Sequence, residues 1–330
     1  MEKETKGMRT ITYREAINEA LEEEMERDDR VLLLGEDVGA FGGAMAVTKG
    51  LYEKFGPKRV MDMPISESAI IGSALGCALT GLRPIAEIMF IDFTCVCMDQ
   101  IVNQIAKIRY MLGGQVKVPL VIRTQGGAGK SYAAQHSQSL ESWFAHTPGL
   151  KVVMPSTPYD VKGLLKSSIR EDDPIMFIEH KLLYNTKGEI SDDDYTIPIG
   201  KAEVKRKGND VTIATYSRLV LFALEAADIL EKEGISAEVI DLRTLSPLDI
   251  NTISDSVRKT GHFLTVEEGN KSFGVGAEVS SGVVEEVFDY LDAPVKRLAS
   301  KDVPIPFSKN LERAVLPDTE KIIFEVKKLI

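Results

Sequence analysis

The sequence predicts an α/β protein of two doubly wound domains, each a parallel sheet covered by helices on both faces. Three observations carry that expectation. The 330 residues exceed the usual size of one compact core. Short apolar runs alternate with segments of helical periodicity along nearly the whole chain. The alternation lapses once, over 185–210, in the charged, Gly-bearing stretch NTKGEISDDDYTIPIGKAEVKRKGND. The boundary is placed there, giving expected domains 1–195 and 196–330.

TYREAINEALEEEMERDD opens with Thr12 and Glu15 in capping-box spacing and sets Ala16, Ile17, Ala20 and Leu21 on one helical face. It feeds RVLLLGED, a short apolar run ended by glycine and acids, which reads as a buried parallel strand. DMPISESAIIGSALGCALTGLRP then reads as a turn and a helix of small and apolar residues. RPIAEIMF is a strand, MDQIVNQIAKIRYML a long helical pattern and VPLVIRT another strand. KVVMP and PIMFIEH are strands flanking TPYDVKGLLKSSIRE, where Thr157 and Pro158 supply an N-cap and a first helical residue. Beyond the boundary VTIATYS, SAEVIDLR, HFLTVEE and PVKRLA are strands with helical patterns between them. No sequence repeat links the halves.

A composition of 44% hydrophobic and 27% charged residues is that of an ordinary globular protein, with disorder expected at most in the first few residues. The balance of 40 basic against 50 acidic residues, net −10, shows no basic stripe and argues against nucleic acid as a partner. The longest apolar run, Ala69 to Leu82, spans 14 residues and falls short of the ~20 needed to cross a membrane. The opening MEKETKGMRT lacks the apolar core of a secretory signal. The three cysteines, Cys77, Cys95 and Cys97, have no metal-ligand spacing. They are expected to be buried thiols in a reducing, cytoplasmic setting.

Two stretches carry candidate chemistry. TQGGAGKSYAAQHSQS resembles a phosphate-cradling loop at Gly129-Lys130-Ser131, but the glycine such a loop needs five positions earlier is Thr124. The same stretch holds His136, one of four histidines, after a strand's carboxyl end, where α/β folds bind ligands. His136 reads equally as an active-site group or as a side chain that shapes its loop. Glu67, at the start of the small-residue helix, reads on its own as a carboxylate complementing the helix dipole. Yet Ala69, Ile70, Ile71, Ala74, Leu75, Cys77, Ala78 and Leu79 cover most of the circumference and predict burial on nearly all sides. A buried carboxyl tends to keep its proton, which suits a group that shares one with a cofactor's ring nitrogen.

MPISESAIIGSALGCALTGLRPIAEIMFIDF, AAQHSQS, HTPGLKVVMPSTPYDVKGLL, AEVIDLRTLSPLDINTI and DVPIPFSKNLE together resemble the β subunit of the E1 component of thiamine-diphosphate-dependent 2-oxo acid or acetoin dehydrogenases. The likeness runs from about Thr12 to the C-terminus. It implies a transketolase-like pyrimidine-binding domain followed by a transketolase C-terminal domain. By the resemblance, Glu67 hydrogen-bonds N1′ of the aminopyrimidine and shares the proton that activates the thiazolium carbon. Ile65 and Phe93 match residues at the cofactor; Phe93 is the aromatic beside the pyrimidine, though ordinary core packing accounts for it as well. His136 matches the histidine that assists the reacting carbonyl and transfer to the lipoyl group. Backbone carbonyls at Leu120, Ser168, Ile169, Glu171 and Asp173 match a structural potassium site.

The Gly-Asp-Gly segment that anchors Mg²⁺ and the diphosphate in such enzymes does not occur in these 330 residues. The resemblance therefore implies an α2β2 assembly whose α subunit holds that half of the cofactor, with the lipoyl-bearing E2 acyltransferase as the next partner. Met63 stands where the family usually has Thr, and Ser68 follows Glu67; both bear on pocket shape rather than proton transfer. IAEIMFIDF and the 185–210 stretch look closest to acetoin dehydrogenase β subunits, so acetoin is favoured over pyruvate or a branched-chain 2-oxo acid.

Overall fold

The computed structural model describes residues 7–330; the disorder expected of the first few residues falls outside that span. In chain order the elements are β1 (Met8–Thr12), α1 (Tyr13–Arg27), β2 (Val31–Gly35), α2 (Leu51–Phe55), β3 (Val60–Asp62), α3 (Glu67–Leu79), β4 (Arg83–Ile88), α4 (Ala106–Met111), β5 (Val121–Gly126), α5 (Glu141–Ala145), β6 (Lys151–Val153), α6 (Pro158–Arg170), β7 (Ile175–His180) and β8 (Lys187–Ser191). There follow β9 (Glu203–Arg206), β10 (Val211–Thr215), α7 (Leu219–Lys232), β11 (Ala237–Asp241), β12 (Thr244–Ser246), α8 (Ile250–Thr260), β13 (Phe263–Asn270), α9 (Val275–Val287), β14 (Lys296–Ser300), α10 (Lys309–Val315) and α11 (Thr319–Lys327).

The chain forms two compact units, one made of the chain up to Gln125 with His146–Ile199, the other of Gly126–Ala145 with Gly200–Ile330. A single cut at 195 does not describe this division, because the Gly-rich stretch joins the second unit. The reason is chemical: its backbone N–H groups are held by carboxylates of that unit, Glu268 and Glu312.

In the first unit the sheet runs β6-β7-β5-β4-β2-β3, and the pairs β2–β3, β2–β4, β4–β5 and β6–β7 are parallel. β2, β5 and β7 are buried at every position, as strands covered on both faces must be. The capping box of α1 forms: Thr12 Oγ1 accepts from Glu15 N at 3.2 Å and Thr12 N donates to Glu15 Oε2 at 2.7 Å. Thr157 Oγ1 likewise accepts from Asp160 N at 3.1 Å ahead of α6. The long helical pattern over 98–112 is realised in two pieces, a π-helical turn Asp99–Ile105 and α4, and a 3₁₀ segment Ile91–Cys97 precedes it.

β2 leads on to β3 at one side of the sheet, whereas β4 leads on to β5 at the other. The carboxyl ends of β2 and β4 therefore flank the point where strand order reverses, the usual ligand crevice of such sheets.

The second unit has the order β14-β13-β10-β11-β9. β9 is its antiparallel edge, and β10–β11, β10–β13 and β13–β14 are parallel. Val211, Ile213, Ala223, Ala227, Leu264 and Ile322 lie in its core.

One expectation fails. Helix α3 is not buried all round: Ile70, Ile71, Ala74 and Ala78 pack inward, while Ala69, Ser73, Gly76 and Leu79 are exposed. The isoleucines and alanines of one face are buried, while the mostly small residues of the other are left exposed. The expectation of three buried thiols also needs correction, since Cys97 is buried, Cys77 half-buried and Cys95 exposed, all of them free.

Candidate functional site

Three elements of the first unit converge on the crevice. β3 ends at Asp62, whose carboxylate accepts from Gly39 N at 2.6 Å. The chain then turns through Met63–Ser66, and α3 begins at Glu67. Ser66, in the N-cap place, makes no side-chain cap bond. Ser68 Oγ donates to Val96 O at 2.8 Å, which ties the first turn of α3 to the 3₁₀ segment that carries Phe93. Phe93 meets Phe90 edge to face with ring centroids 5.5 Å apart, a geometry that presents an aromatic surface without stacking.

Glu67 is half-buried, and its charge is felt by two neighbours. The carboxyl of Glu36, which directly follows β2, is raised by burial and then by the charges of Glu67 and Asp37. The Cys97 thiol is pushed up to about 12 by burial and then by Glu67, so it is a poor nucleophile. Glu36 and Glu67 thus form a pair of acids at the sheet's reversal point. Sequence reasoning missed Glu36; the signal was the acid pair closing RVLLLGED, which was read only as a strand terminator. Ile65 is 82% exposed, so within this chain it packs little against the residues around Glu67.

His136 belongs to the second unit and stands half-buried on the irregular segment between Gly126 and α5. No helix follows the Gly129-Lys130-Ser131 turn; the next is the five-residue α5. Lys130 is exposed, and the N–H groups of Gly129 and Ser131 point at the carboxylate of Glu312. The phosphate-loop alternative is therefore set aside, because a carboxylate of the chain itself occupies the place of the anion.

Four of the five carbonyls expected to surround potassium already accept hydrogen bonds within the chain. Ile169 O accepts from Arg83 Nε at 2.8 Å and Glu171 O accepts from Arg83 Nη2. Leu120 O accepts from Ile175 N at 2.9 Å, and Ser168 O from Glu171 N at 3.3 Å. The Asp173 carboxylate is taken by Arg109 and by Lys151 Nζ at 3.4 Å. A guanidinium thus already serves two of the carbonyls. Among the described residues no group of three or more His, Cys, Asp or Glu is arranged to hold a metal, and no helix is long and apolar enough to cross a membrane.

Two transketolase domains account for this architecture. Residues 9–187 match the family described as the transketolase pyrimidine binding domain, and residues 200–322 the transketolase C-terminal domain. The chain is 50% identical over 322 residues to the mitochondrial pyruvate dehydrogenase E1 component subunit beta-2 of Oryza sativa, covering 96% of this chain and 86% of that protein. It is 49% identical over 324 residues to the 2-oxoisovalerate dehydrogenase subunit beta of Bacillus subtilis, covering 98% and 99%. A solved split-gene transketolase, described as an inactive beta4 tetramer, superposes with a TM-score of 0.80 at 25% identity over 97% of this chain and 98% of that one. The chain belongs to the E1 β-subunit family of 2-oxo acid dehydrogenase complexes.

Proposed function

We propose that this chain is the pyrimidine-side half of a thiamine-diphosphate-dependent E1 dehydrogenase. In this reading Glu67 exchanges a proton with the aminopyrimidine, and the substrate is pyruvate or a branched-chain 2-oxo acid. The observation that carries the proposal is the placement of Glu67 as the first residue of α3 at the reversal point, tied through Ser68 to the segment that carries Phe93. Bound there, thiamine diphosphate supplies the electron sink that lets a 2-oxo acid lose its carboxylate. Glu67 holds a proton at its carboxyl for the ring nitrogen, Phe93 offers a flat apolar face, and His136 assists the reacting carbonyl and transfer to lipoamide.

Relatives named for pyruvate and 2-oxoisovalerate at 49–50% identity favour a 2-oxo acid over the acetoin suggested by local wording. With no Gly-Asp-Gly segment in the sequence, Mg²⁺ and the diphosphate fall to an α subunit. The description of the split-gene transketolase β4 tetramer as inactive supports the view that a β-type chain is incomplete alone. The exposed stripe Ala69, Ser73, Gly76 and Leu79 of α3 is where a partner chain would complete the burial its composition calls for. The lipoyl-bearing E2 acyltransferase receives the product. Three free thiols suit a reducing compartment such as the cytoplasm. The potassium site is proposed at Leu120, Ser168, Ile169, Glu171 and Asp173, where the first four carbonyls each already accept one bond and would use a second lone pair.

The test is turnover by the chain assembled with its α subunit, thiamine diphosphate and Mg²⁺, with a dye acceptor and pyruvate, branched-chain 2-oxo acids and acetoin offered in turn. A 2-oxo acid is expected to be consumed, and Glu67→Gln to lower kcat by roughly 10³-fold. Full activity of Glu67→Gln would make Glu67 structural, and turnover of acetoin alone would overturn the substrate.

A further inference from the structure

We infer that Glu312, seconded by Glu268, is a positioning residue for His136; the inference rests on the reading of His136 as an active-site group. Gly127, Gly129, Ser131 and Ala133 adopt φ of 84°, 102°, 57° and 59°, so that every second residue along this stretch is left-handed. Such alternation turns neighbouring N–H groups to one side and makes a concave site for an anion. The anion is supplied from 181 residues further along the chain. Glu312, on α10 and 2% exposed, accepts from Gly129 N at 2.7 Å and from Ser131 N at 3.2 and 3.3 Å. Next to it, Ala128 N donates to Glu268 Oε1 at 2.5 Å.

Ser131 and Ala133 lack the freedom of glycine in this conformation, so the backbone keeps it only where something else fixes it. Charge-assisted bonds from a buried carboxylate do so. His136 stands three residues beyond Ala133, and the far end of the stretch is fixed again where Tyr216 Oη donates to Glu141 Oε1 at 2.9 Å. The histidine therefore rides on a span held at one end by the carboxylates of Glu312 and Glu268 and at the other by the Tyr216 hydroxyl, all of the same unit. The glycines that imitate a phosphate loop serve an internal anion, and the strength of that grip sets where the imidazole stands.

The experiment uses the assembled α and β subunits with thiamine diphosphate, Mg²⁺ and a lipoyl domain, comparing Glu312→Gln, Glu312→Asp, His136→Ala and the double variant Glu312→Gln/His136→Ala. Gln keeps one acceptor but turns an amide toward two donors. It is expected to lower kcat for acyl transfer at least about tenfold with little change in KM. Asp keeps the charge and should restore part of the loss. In the His136→Ala background, Glu312→Gln should cost less than about twofold more, since both act through one group. An equal loss in both backgrounds, or full activity of Glu312→Gln while His136→Ala is impaired, overturns the inference. Full activity of His136→Ala brings down the reading of His136 first, and the inference with it. If Glu312→Gln does not assemble, Glu312→Asp carries the same comparison with and without His136→Ala.

Discussion

Arg123 in the first unit and Glu141 in the second are equally buried, each 2% exposed, yet their surroundings treat charge in opposite ways. Arg123 lies on β5, directly across from Glu87 on β4 in the parallel register. Its guanidinium donates to Glu87 Oε2 at 2.6 Å and to both oxygens of Glu179 at 2.7 and 3.0 Å. Tyr184 Oη completes the set with a bond to Glu179 at 2.7 Å. Burial works against the Arg123 charge, but Glu179 and Glu87 hold its pKa above the ordinary value.

Among the described residues no cation pairs with Glu141. Burial pushes its carboxyl up to about 7 against the opposing bond from Tyr216, and the charge of Glu268 raises it further. Glu267 is likewise pushed up to about 7, chiefly by burial and then by the charge of Glu141. A methyl group added at Gly274 or Gly276 would come within 2.5–2.7 Å of the Glu267 oxygens, which explains the glycines at the start of α9. The lesson is topological. Neighbouring strands place side chains in fixed cross-strand rows, where an acid and a base can be paired by register. Glu267 on β13 instead has its pKa raised by burial and then by Glu141 at the start of α5, with Arg297 no nearer than 3.6 Å to Glu267.

The contrast is broken most sharply by removing the buried cation. Arg123→Met leaves Glu87 and Glu179 without their partner and should destabilise the chain by about 3–5 kcal/mol. Urea unfolding of wild type and variant measures it, and a loss below about 1 kcal/mol would mean that the row is not held as ions.

The next effect depends on pH. Glu141 and Glu267 titrate near 7 in the fold against 4.5 in the unfolded chain. The folded chain therefore binds the extra protons: their contribution is complete below about pH 4.5 and lost as pH rises through about 7. Glu141→Gln removes one of these titrations. Its unfolding free energy relative to wild type should shift in its favour by on the order of 3 kcal/mol between pH 4 and pH 8. A difference that stays flat over that range would show that folding leaves the Glu141 pKa at its unfolded value.

The smallest expected effect concerns the carbonyls served by Arg83. Because a guanidinium already donates to two of them, replacing potassium with choline should cost less than about 1 kcal/mol, or roughly 3 °C in Tm. A larger drop would show that the metal, rather than Arg83, is the main cation there.

Much of the candidate site was legible because its signals are local. Thr12 with Glu15 and Thr157 with Pro158 announce their helices within four residues, and the apolar runs announce buried strands. Glu67 was legible by its place before a small-residue helix. Glu36 was in view as a strand-ending acid, but its nearness to Glu67 comes from β2 and β3 lying side by side. Glu312 left no local trace, since its partners lie 181 and 183 residues away. The all-round burial expected of α3 failed for a related reason: composition reports that a face is apolar, not whether this chain or another covers it.

By itself the sequence determined the alternation of strands and helices, the caps that start α1 and α6, and the family, because hydrophobic periodicity, capping and motif order are properties of neighbouring residues. Only the tertiary structure decided which acids lie close enough for one to raise another's pKa, which carboxylate fills the Gly-rich turn and which buried charges are balanced. Those outcomes depend on distances of a few ångströms between residues far apart in the chain, and electrostatics in a low-dielectric interior is set by such distances and by the water excluded around them.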